Sequence, residues 1–247
     1  MPRLDHIAIL LVEPQSACNV GAVARVMKNF GFSRLVLIDS KTELTPEAYH
    51  RACGADDILQ DAKYRATLPE AVREFALAVG TSSRLVEWIP NAMRPSEMAS
   101  RLNQYGSTDE IALVFGPERT GLTNQHLRYC QWLMTIPTET DFESLNLSHA
   151  VAIACYEVRQ AWNDSGDIGR ALKAASVGQV ESFMQGLELA LSQIGFLNTQ
   201  NPQQVLLTVR QMLARASLEE RDVQILRGIL RQWNWYSAQS RREPASK

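Results

Sequence analysis

The alternation of short apolar runs with helical stretches over residues 1–163 most limits the possible folds. The apolar runs are rich in Val, Ile and Leu, which is typical of strands buried on both faces of a parallel sheet. The sequence predicts strands at His6–Val12, Arg34–Ile38, Phe75–Val79, Ile111–Phe115 and Leu133–Ile136. It predicts helices near Val20–Phe30, Pro46–Cys53, Pro95–Gln104, Thr123–Cys130 and Asn146–Trp162. This order predicts an α/β fold, a mostly parallel sheet with helices on both faces.

After residue 163 the pattern becomes purely helical. The polar, turn-rich segment Asn163–Gly169 predicts a linker, and three amphipathic stripes begin at Val180, Val205 and Val223. We therefore divide the chain into a domain over residues 1–163, a linker over 164–176 and a small all-α extension over 177–247.

The charges of the chain are close to balanced, with 25 basic and 27 acidic residues. This balance excludes a globally basic nucleic-acid binder, although residues 164–247 hold 10 basic against 8 acidic residues. Four cysteines without a C-x-x-C pair favour a reducing compartment over a disulfide framework. The chain begins without a signal peptide pattern, and its apolar runs are shorter than a membrane span. We therefore expect a cytoplasmic protein.

Several common enzyme motifs are absent from the sequence. It has no G-x-x-x-x-G-K-[ST] loop, no G-x-G-x-x-G after the first strand, no H-E-x-x-H and no G-x-S-x-G. The four histidines do not cluster at the spacing of metal ligands. NTPase, Rossmann dehydrogenase, zinc enzyme and α/β-hydrolase functions are therefore disfavoured, and no metal site is expected.

Three loops follow predicted strands at the edge where open parallel sheets bind ligands. They are Gly80–Arg84, Phe115–Leu122 and Ile136–Leu147. Their small residues let a ligand approach the backbone, and their hydroxyls and amides can donate hydrogen bonds. Each loop could instead be a turn with a helix cap, since Ser144 is a good N-cap residue. Three such loops at equivalent strand ends favour a binding site.

A fourth segment, Glu13–Arg25, also follows a strand. Taken alone, Asn19 could cap the helix beginning near Val20, and Arg25 could be an ordinary solvated side chain. Combined with the loops, the segment forms a recognisable pattern. The SPOUT superfamily of RNA methyltransferases has three motifs, which resemble Asn19-x-Gly21-x-x-x-Arg25, Phe115-Gly-Pro-Glu-Arg-Thr-Gly-Leu122 and Ser144-Leu-Asn-Leu-Ser-His-Ala-Val-Ala-Ile153. Their order and spacing cover roughly residues 7–160.

This resemblance implies a fold, a cofactor and an assembly. Members have an α/β domain with a C-terminal trefoil knot, bind S-adenosylmethionine in the knot and form homodimers whose sites combine both subunits. Position by position, the residues implied to line the cofactor pocket are Thr81, Ser82, Ser83, Gly116, Ile136, Ser144, Leu145 and Asn146.

The resemblance also implies that Arg25, Asn19, Ser144 and Asn146 are the catalytic residues. A guanidinium stays protonated up to pH ~12, so we expect Arg25 to stabilise the developing 2′-alkoxide rather than to act as a base. Asn19 would orient the target ribose or Arg25, and Ser144 and Asn146 would hold the pocket geometry. The group that accepts the 2′-hydroxyl proton stays open.

Other charged residues are candidates for contact with RNA. Glu118 and Arg119 either pair with each other or contact RNA, and Arg84 could bind a phosphate. In the extension, the candidate phosphate contacts are Arg210, Arg215, Arg221, Arg227 and Arg231. Alternatively, the three helices mainly add dimer surface.

The segment Tyr156–Trp162 and the helical extension resemble one subgroup within this superfamily. Its members are bacterial tRNA 2′-O-methyltransferases that modify cytidine or uridine at position 32 of the anticodon loop. We expect that activity here, with tRNA as the partner. The alternatives are another tRNA position, ribosomal RNA, or a non-enzymatic RNA-binding module of the same fold. The intact Asn19, Arg25, Ser144 and Asn146 argue against the last alternative.

Overall fold

The chain was analysed as a computed structural model that describes residues 4–83, 92–106, 108–139, 141–165, 173–197 and 202–240. It separates into two compact units, Met1–Ala171 and Leu172–Lys247. The boundary between them lies inside the segment 164–176 that the sequence predicts as a linker.

The first unit contains seven strands and seven helices among the described residues. The strands are β1 Ile7–Val12, β2 Arg34–Ile38, β3 Lys63–Arg65, β4 Leu77–Thr81, β5 Ala92–Met93, β6 Ile111–Phe115 and β7 Trp132–Met134. The helices are α1 Ala17–Phe30, α2 Pro46–Ala52, α3 Asp56–Gln60, α4 Leu68–Val72, α5 Pro95–Leu102, α6 Asn124–Leu127 and α7 Leu147–Ser165.

All seven strands form one parallel sheet in the order β3-β2-β1-β6-β4-β7-β5. The central strands β1 and β6 are buried along their whole length, because every residue in them is apolar and faces a covered surface. Parallel pairing brings the carboxyl ends of β1, β6, β4 and β7 to one edge, as neighbours. The loops singled out in the sequence leave the sheet at that edge.

Helices cover both faces of the sheet, as the sequence predicts. Helix α7 packs against both α1 and α5 in one layer. The connections through α1 and α5 cross the sheet toward β3, whereas those through α4 and α6 cross it toward β5. Because crossovers between parallel strands are right-handed, α4 and α6 lie on the opposite face from α1 and α5. The knot stays a prediction, because the connection from β4 to β5 includes residues 84–91, which lie outside the described part of the chain.

Strand β4 starts and ends two residues later than the sequence predicts. The expectation of Phe75–Val79 treated Gly80 as the start of a loop, but Gly80 and Thr81 belong to the strand. A Cβ at Gly80 would lie 2.9 Å from Cys130 Sγ and from Leu127 Cδ2, so the glycine lets α6 approach the sheet closely. Burial in this contact raises the pKa of Cys130 to about 12.

Arg159 on α7 ties two helices of the first layer together. Its Nε donates to the carbonyl oxygen of Phe30, the last residue of α1, at 2.7 Å. The side chain is 6% exposed, and burial lowers its pKa from the ordinary value. The contact satisfies a carbonyl that the end of α1 leaves without a partner in its own helix.

The second unit is a three-helix structure of α8 Val177–Gln193, α9 Pro202–Ala216 and α10 Glu220–Ser240. Its core combines one apolar face of each helix and consists of Ala175, Phe183, Met184, Leu206 and Val223, with partly buried neighbours around them. Ala174 pairs with Glu219 in a short antiparallel bridge, and Ser176 caps α8. Residues 173–176 are therefore part of the helical unit.

Candidate active site

A cleft of about 200 Å³ opens at the carboxyl edge of the sheet, beside β4, β6 and β7. The loops that follow these three strands form its walls, and the start of α7 closes it. Seven of the eight residues predicted to line a cofactor pocket lie around it: Thr81, Ser82, Ser83, Gly116, Ile136, Ser144 and Leu145. The eighth, Asn146, is not among the residues that line the cleft.

The chemistry of the cleft walls fits an adenosyl group bearing an amino-acid tail. Hydroxyls of the 81–83 segment and backbone of the 116–121 loop supply polar contacts. Met134, Ile136 and Leu145 supply an apolar surface suited to the flat face of a base. Two carboxylates, Glu118 and Glu143, also line the cleft and give it a negative charge that suits a sulfonium cation.

The loop after β6 is folded so tightly that Gly116 must lack a side chain. A Cβ there would lie 2.3 Å from the carbonyl carbon of Gly121 and 2.3 Å from the nitrogen of Leu122. Gly121 itself has φ +63, which an L side chain rarely adopts. The two glycines bring backbone N–H and C=O groups to the cleft surface.

A hydrogen-bonded network joins all three sequence motifs next to the cleft. Asn19 Nδ2 donates to Glu118 Oε1 at 2.9 Å, and Asn146 Nδ2 donates to Asn19 Oδ1 at 3.0 Å. The Glu118 carboxylate also accepts hydrogen bonds from the backbone N–H groups of Gln15 and Ser16, at 2.8 and 3.2 Å. Glu118 thus fixes the entry of α1 against the loop after β6.

The structure rules out two capping roles that the sequence left open. The N-cap of α1 is Ser16, whose Oγ accepts from Asn19 N, so Asn19 does not cap this helix and its amide is available to the network. Ser144 does not cap α7 either. That role falls to Asn146, whose Oδ1 accepts from the backbone N–H and the hydroxyl of Ser148, at 2.9 and 2.7 Å.

The two arginines predicted at the site are both exposed. Arg25 lies on α1, two turns from its start, and Arg119 lines the cleft. Within the described part of the chain neither guanidinium makes a hydrogen bond or ion pair, so of the two alternatives for Glu118 and Arg119, the pair between them does not form. Each arginine therefore offers a charge that a phosphate or an oxyanion could engage. Arg84 lies outside the described residues.

The arginines predicted to bind phosphate in the helical unit fall into two groups. Arg210 forms a bidentate ion pair with Glu181, so its guanidinium is already engaged within the unit. Arg227 donates to the carbonyl oxygen of Gln179 at 3.2 Å. The other three, Arg215, Arg221 and Arg231, are exposed and make no ion pair within the described residues.

Two features of the site were missing from the sequence analysis. The binding of Glu118 to Gln15, Ser16 and Asn19 joins residues about a hundred positions apart, so no local pattern reveals it. Phe142 is 80% exposed in the loop that leads to Ser144. The only signal for it in the sequence was that Phe142 is an apolar residue within a run of polar ones.

Comparisons with known proteins identify the family. The model of the SpoU rRNA methylase family matches residues 6–156, and the model of the TrmJ C-terminal domain matches residues 178–245. The chain belongs to the SpoU methylase family. This membership confirms the resemblance, the fold class and the methyltransferase class predicted from the three motifs.

Individual relatives cover nearly the whole chain. The tRNA (cytidine/uridine-2′-O-)-methyltransferase TrmJ of Pectobacterium atrosepticum is 39% identical over 92% of this chain and 96% of its own length. A Pseudomonas aeruginosa relative, named tRNA (cytidine/uridine/adenosine-2′-O-)-methyltransferase TrmJ, is 36% identical over 92% of this chain and 93% of its own length. The crystal structure of TrmJ from Z. mobilis superposes with a TM-score of 0.78 at 30% identity, covering 92% of this chain and 98% of that one.

A more distant protein shares the fold alone. The SpoU methyltransferase AviRb from Streptomyces viridochromogenes, solved in complex with the cofactor AdoMet, is 20% identical with a TM-score of 0.50, over 69% of this chain and 61% of that one.

The described residues show neither a cluster of metal ligands nor a helix suited to a membrane. Across the described ranges, no three or more His, Cys, Asp or Glu side chains gather as a metal site would require. None of the helices in that same part of the chain has both the length and the apolar character of a membrane span.

Proposed function

We propose that the chain transfers a methyl group from S-adenosylmethionine to the ribose 2′-hydroxyl of cytidine or uridine at position 32 of the tRNA anticodon loop. The observation that carries this proposal is the network of Asn19, Glu118 and Asn146 beside the cleft. It assembles the three motifs in a chain whose relatives are named tRNA 2′-O-methyltransferases.

The cleft residues are assigned to the methyl donor. Thr81, Ser82 and Ser83 would bind its polar atoms, together with the backbone of the Gly116 loop, and Ile136 and Leu145 would pack on its base. When bound, S-adenosylmethionine supplies an activated methyl group on a sulfonium, so the protein needs only to place the acceptor oxygen in line.

Arg25 is assigned to the developing charge on the 2′-oxygen. A guanidinium keeps its proton at neutral pH, so it donates hydrogen bonds to an oxyanion and does not accept the proton. Such a donor stabilises the transition state more than the neutral hydroxyl of the ground state. Arg25 lies on the helix whose entry Glu118 fixes, which would hold it in register with the other motifs.

RNA binding is assigned to exposed cations outside the donor pocket. Arg119 at the cleft and the exposed arginines of the helical unit are the candidates. The family match over residues 178–245 supports a role for this unit with tRNA. The homodimer and the cytoplasmic location stay predictions.

A second candidate concerns the target base. The Pseudomonas aeruginosa relative carries adenosine in its name alongside cytidine and uridine. A ribose methyltransferase need not read the base closely, because the acceptor is common to all four nucleosides. We therefore include adenosine among the nucleosides to be examined.

The experiment is methyl transfer from labelled S-adenosylmethionine into unmodified total tRNA, followed by mass spectrometry of the product nucleosides. Ribose-methylated cytidine or uridine, mapped to position 32, is the expected product. Ribose methylation at another tRNA position or only in ribosomal RNA would replace the proposed target. Absence of both donor binding and methyl transfer would favour the non-enzymatic alternative.

A further inference from the structure

The helical unit contains a groove of about 580 Å³ that none of the proposed reaction steps uses. It lies between α8 and α10. Its lining is Ser182, Phe183, Gly186, Gln224, Arg227, Leu230, Arg231 and Asn234.

One wall of the groove is a polar face of α10. Gln224, Arg227, Arg231 and Asn234 follow one another at spacings of three, four and three residues, so they share one side of the helix. The backbone positions of Arg227 and Arg231 lie about one turn apart, roughly 6 Å along the helix axis. This separation is comparable to that of successive phosphates on a nucleic-acid strand. The flanking amides can donate to phosphate or ribose oxygens and accept from hydroxyls.

Small residues keep the opposite wall open. Gly186 and Ser182 stand where α8 faces the arginines, and a Cβ at Gly186 would have one neighbour within 4 Å, Leu230 Cδ1 at 3.4 Å. The two large apolar residues of the lining belong mainly to the core, since Phe183 is 6% exposed and Leu230 is partly buried.

The groove is electropositive because Arg227 and Arg231 line it and, among the described residues, no carboxylate does. Glu181, on the same helix as Ser182, is engaged by Arg210 on α9 and does not pair with the groove arginines. Arg227 is held in place by the hydrogen bond to Gln179, which lowers the entropy that it loses on binding an anion. Arg231 makes no ion pair within the described residues.

We propose that this groove binds a stretch of RNA strand through two successive phosphates, held by Arg227 and Arg231, with Gln224 and Asn234 at its ends. The inference rests on the proposed RNA substrate and specifies where the helical unit holds it. It assigns phosphate binding to these two arginines and not to Arg210, which stabilises the unit, or to Arg215, which lies on α9 outside the groove. Direct phosphate contact depends on local geometry, whereas general attraction depends on net charge alone.

The test compares two matched pairs of variants of the full chain, with filter binding to unmodified tRNA in the absence of methyl donor. Arg231→Gln and Arg215→Gln remove the same charge inside and outside the groove. Gly186→Gln fills the groove without changing charge, and Gly228→Gln places the same side chain on α10 where no atom lies within 4 Å. Thermal unfolding checks that all four variants are folded.

We expect Arg231→Gln to raise the Kd for tRNA about tenfold and Gly186→Gln to raise it about fivefold. Arg215→Gln and Gly228→Gln should change it less than about twofold. The slope of log K against log salt should fall by about 0.7 to 0.9 in Arg231→Gln. Three results would each overturn the proposed role of the groove in binding RNA. They are equal effects of the two arginine variants, an unchanged Kd in Gly186→Gln, and no tRNA binding by the parent chain.

The same experiment separates this inference from the proposed reaction. Binding is measured without catalysis, so a chain that binds tRNA through the groove but methylates nothing would contradict the reaction alone. In an active enzyme, Arg231→Gln should raise KM for tRNA and leave kcat within about twofold of the parent value.

Discussion

The two units of the chain arrange their polar side chains in opposite ways. In the first unit, Asn19, Glu118 and Asn146 bond to one another and to the backbone, so hydrogen bonds within the protein fix the geometry beside the cleft. In the helical unit, Arg231 is exposed and makes no ion pair within the described residues. Catalysis requires fixed geometry, whereas affinity for a polyanion requires accessible charge. The contrast assigns chemistry to the first unit and much of the RNA affinity to the second.

The largest effect is expected when Arg25, the one exposed cation assigned to chemistry, is removed. Arg25→Ala should lower kcat for methyl transfer by about 100-fold or more, because a single oxyanion donor contributes about that much. Binding of S-adenosylmethionine, measured by calorimetry, should stay within about twofold. Arg25→Lys keeps the charge and should recover part of the rate. Unchanged turnover in Arg25→Ala would remove Arg25 from the mechanism.

A second substitution tests whether the cleft depends on the tight loop after β6. Gly116→Ala forces a Cβ to within 2.3 Å of the backbone of Gly121 and Leu122, so the loop must open. We expect S-adenosylmethionine to bind more than about tenfold more weakly, since backbone groups of this loop line the cleft. Gly228→Ala, at an open helical position, is the control and should bind normally. Normal donor binding by Gly116→Ala would contradict the cleft assignment.

The network itself is tested by a change that keeps shape and removes charge. The Glu118 carboxylate accepts three hydrogen bonds. Glu118→Gln removes its charge and replaces one acceptor oxygen with an NH2 donor. Charge-assisted bonds of this kind contribute about 1.5–3 kcal/mol, so kcat should fall about tenfold. Glu74→Gln, an exposed residue distant in sequence from the motifs, controls for the charge. If both variants keep full activity, the network does not position the site.

The smallest expected effect is on the stability of the helical unit, where Arg210 and Arg231 are expected to differ. Arg210 and Glu181 form a partly buried ion pair, with side chains 29% and 27% exposed. Arg210→Gln should therefore reduce the free energy of unfolding by about 1 kcal/mol, measured by urea denaturation. Arg231→Gln has no such partner to lose and should leave stability unchanged. The opposite ranking would mean that Arg231, not Arg210, supports the unit.

The sequence predicted the architecture where the pattern was local and strongly apolar. Arg34–Ile38 and Ile111–Phe115 agree with β2 and β6 at both ends, because four consecutive residues of the first and all five of the second are buried and apolar. Strands β3 and β5 escaped prediction, since they span only three and two residues at the sheet edges. The end of β4 was misplaced because Gly80 packs closely instead of turning.

The site was predictable as a set of motifs but not as a network. Asn19, Glu118 and Asn146 were each singled out, yet their partners follow from the parallel order of β1 and β6. The capping alternatives for Asn19 and Ser144 are wrong, because a neighbouring residue, Ser16 or Asn146, caps each helix instead. Which donor satisfies which acceptor is decided by tertiary contacts that no short window contains.

The central claim is that the acceptor is one oxygen atom, the 2′-oxygen of residue 32 in tRNA. The most direct test uses two otherwise identical tRNAs, one with ribose and one with 2′-deoxyribose at that residue, and labelled S-adenosylmethionine. The account predicts about one methyl group per molecule of the first tRNA and none in the second, with equal binding of both. Equal incorporation into the two tRNAs would contradict the proposed acceptor.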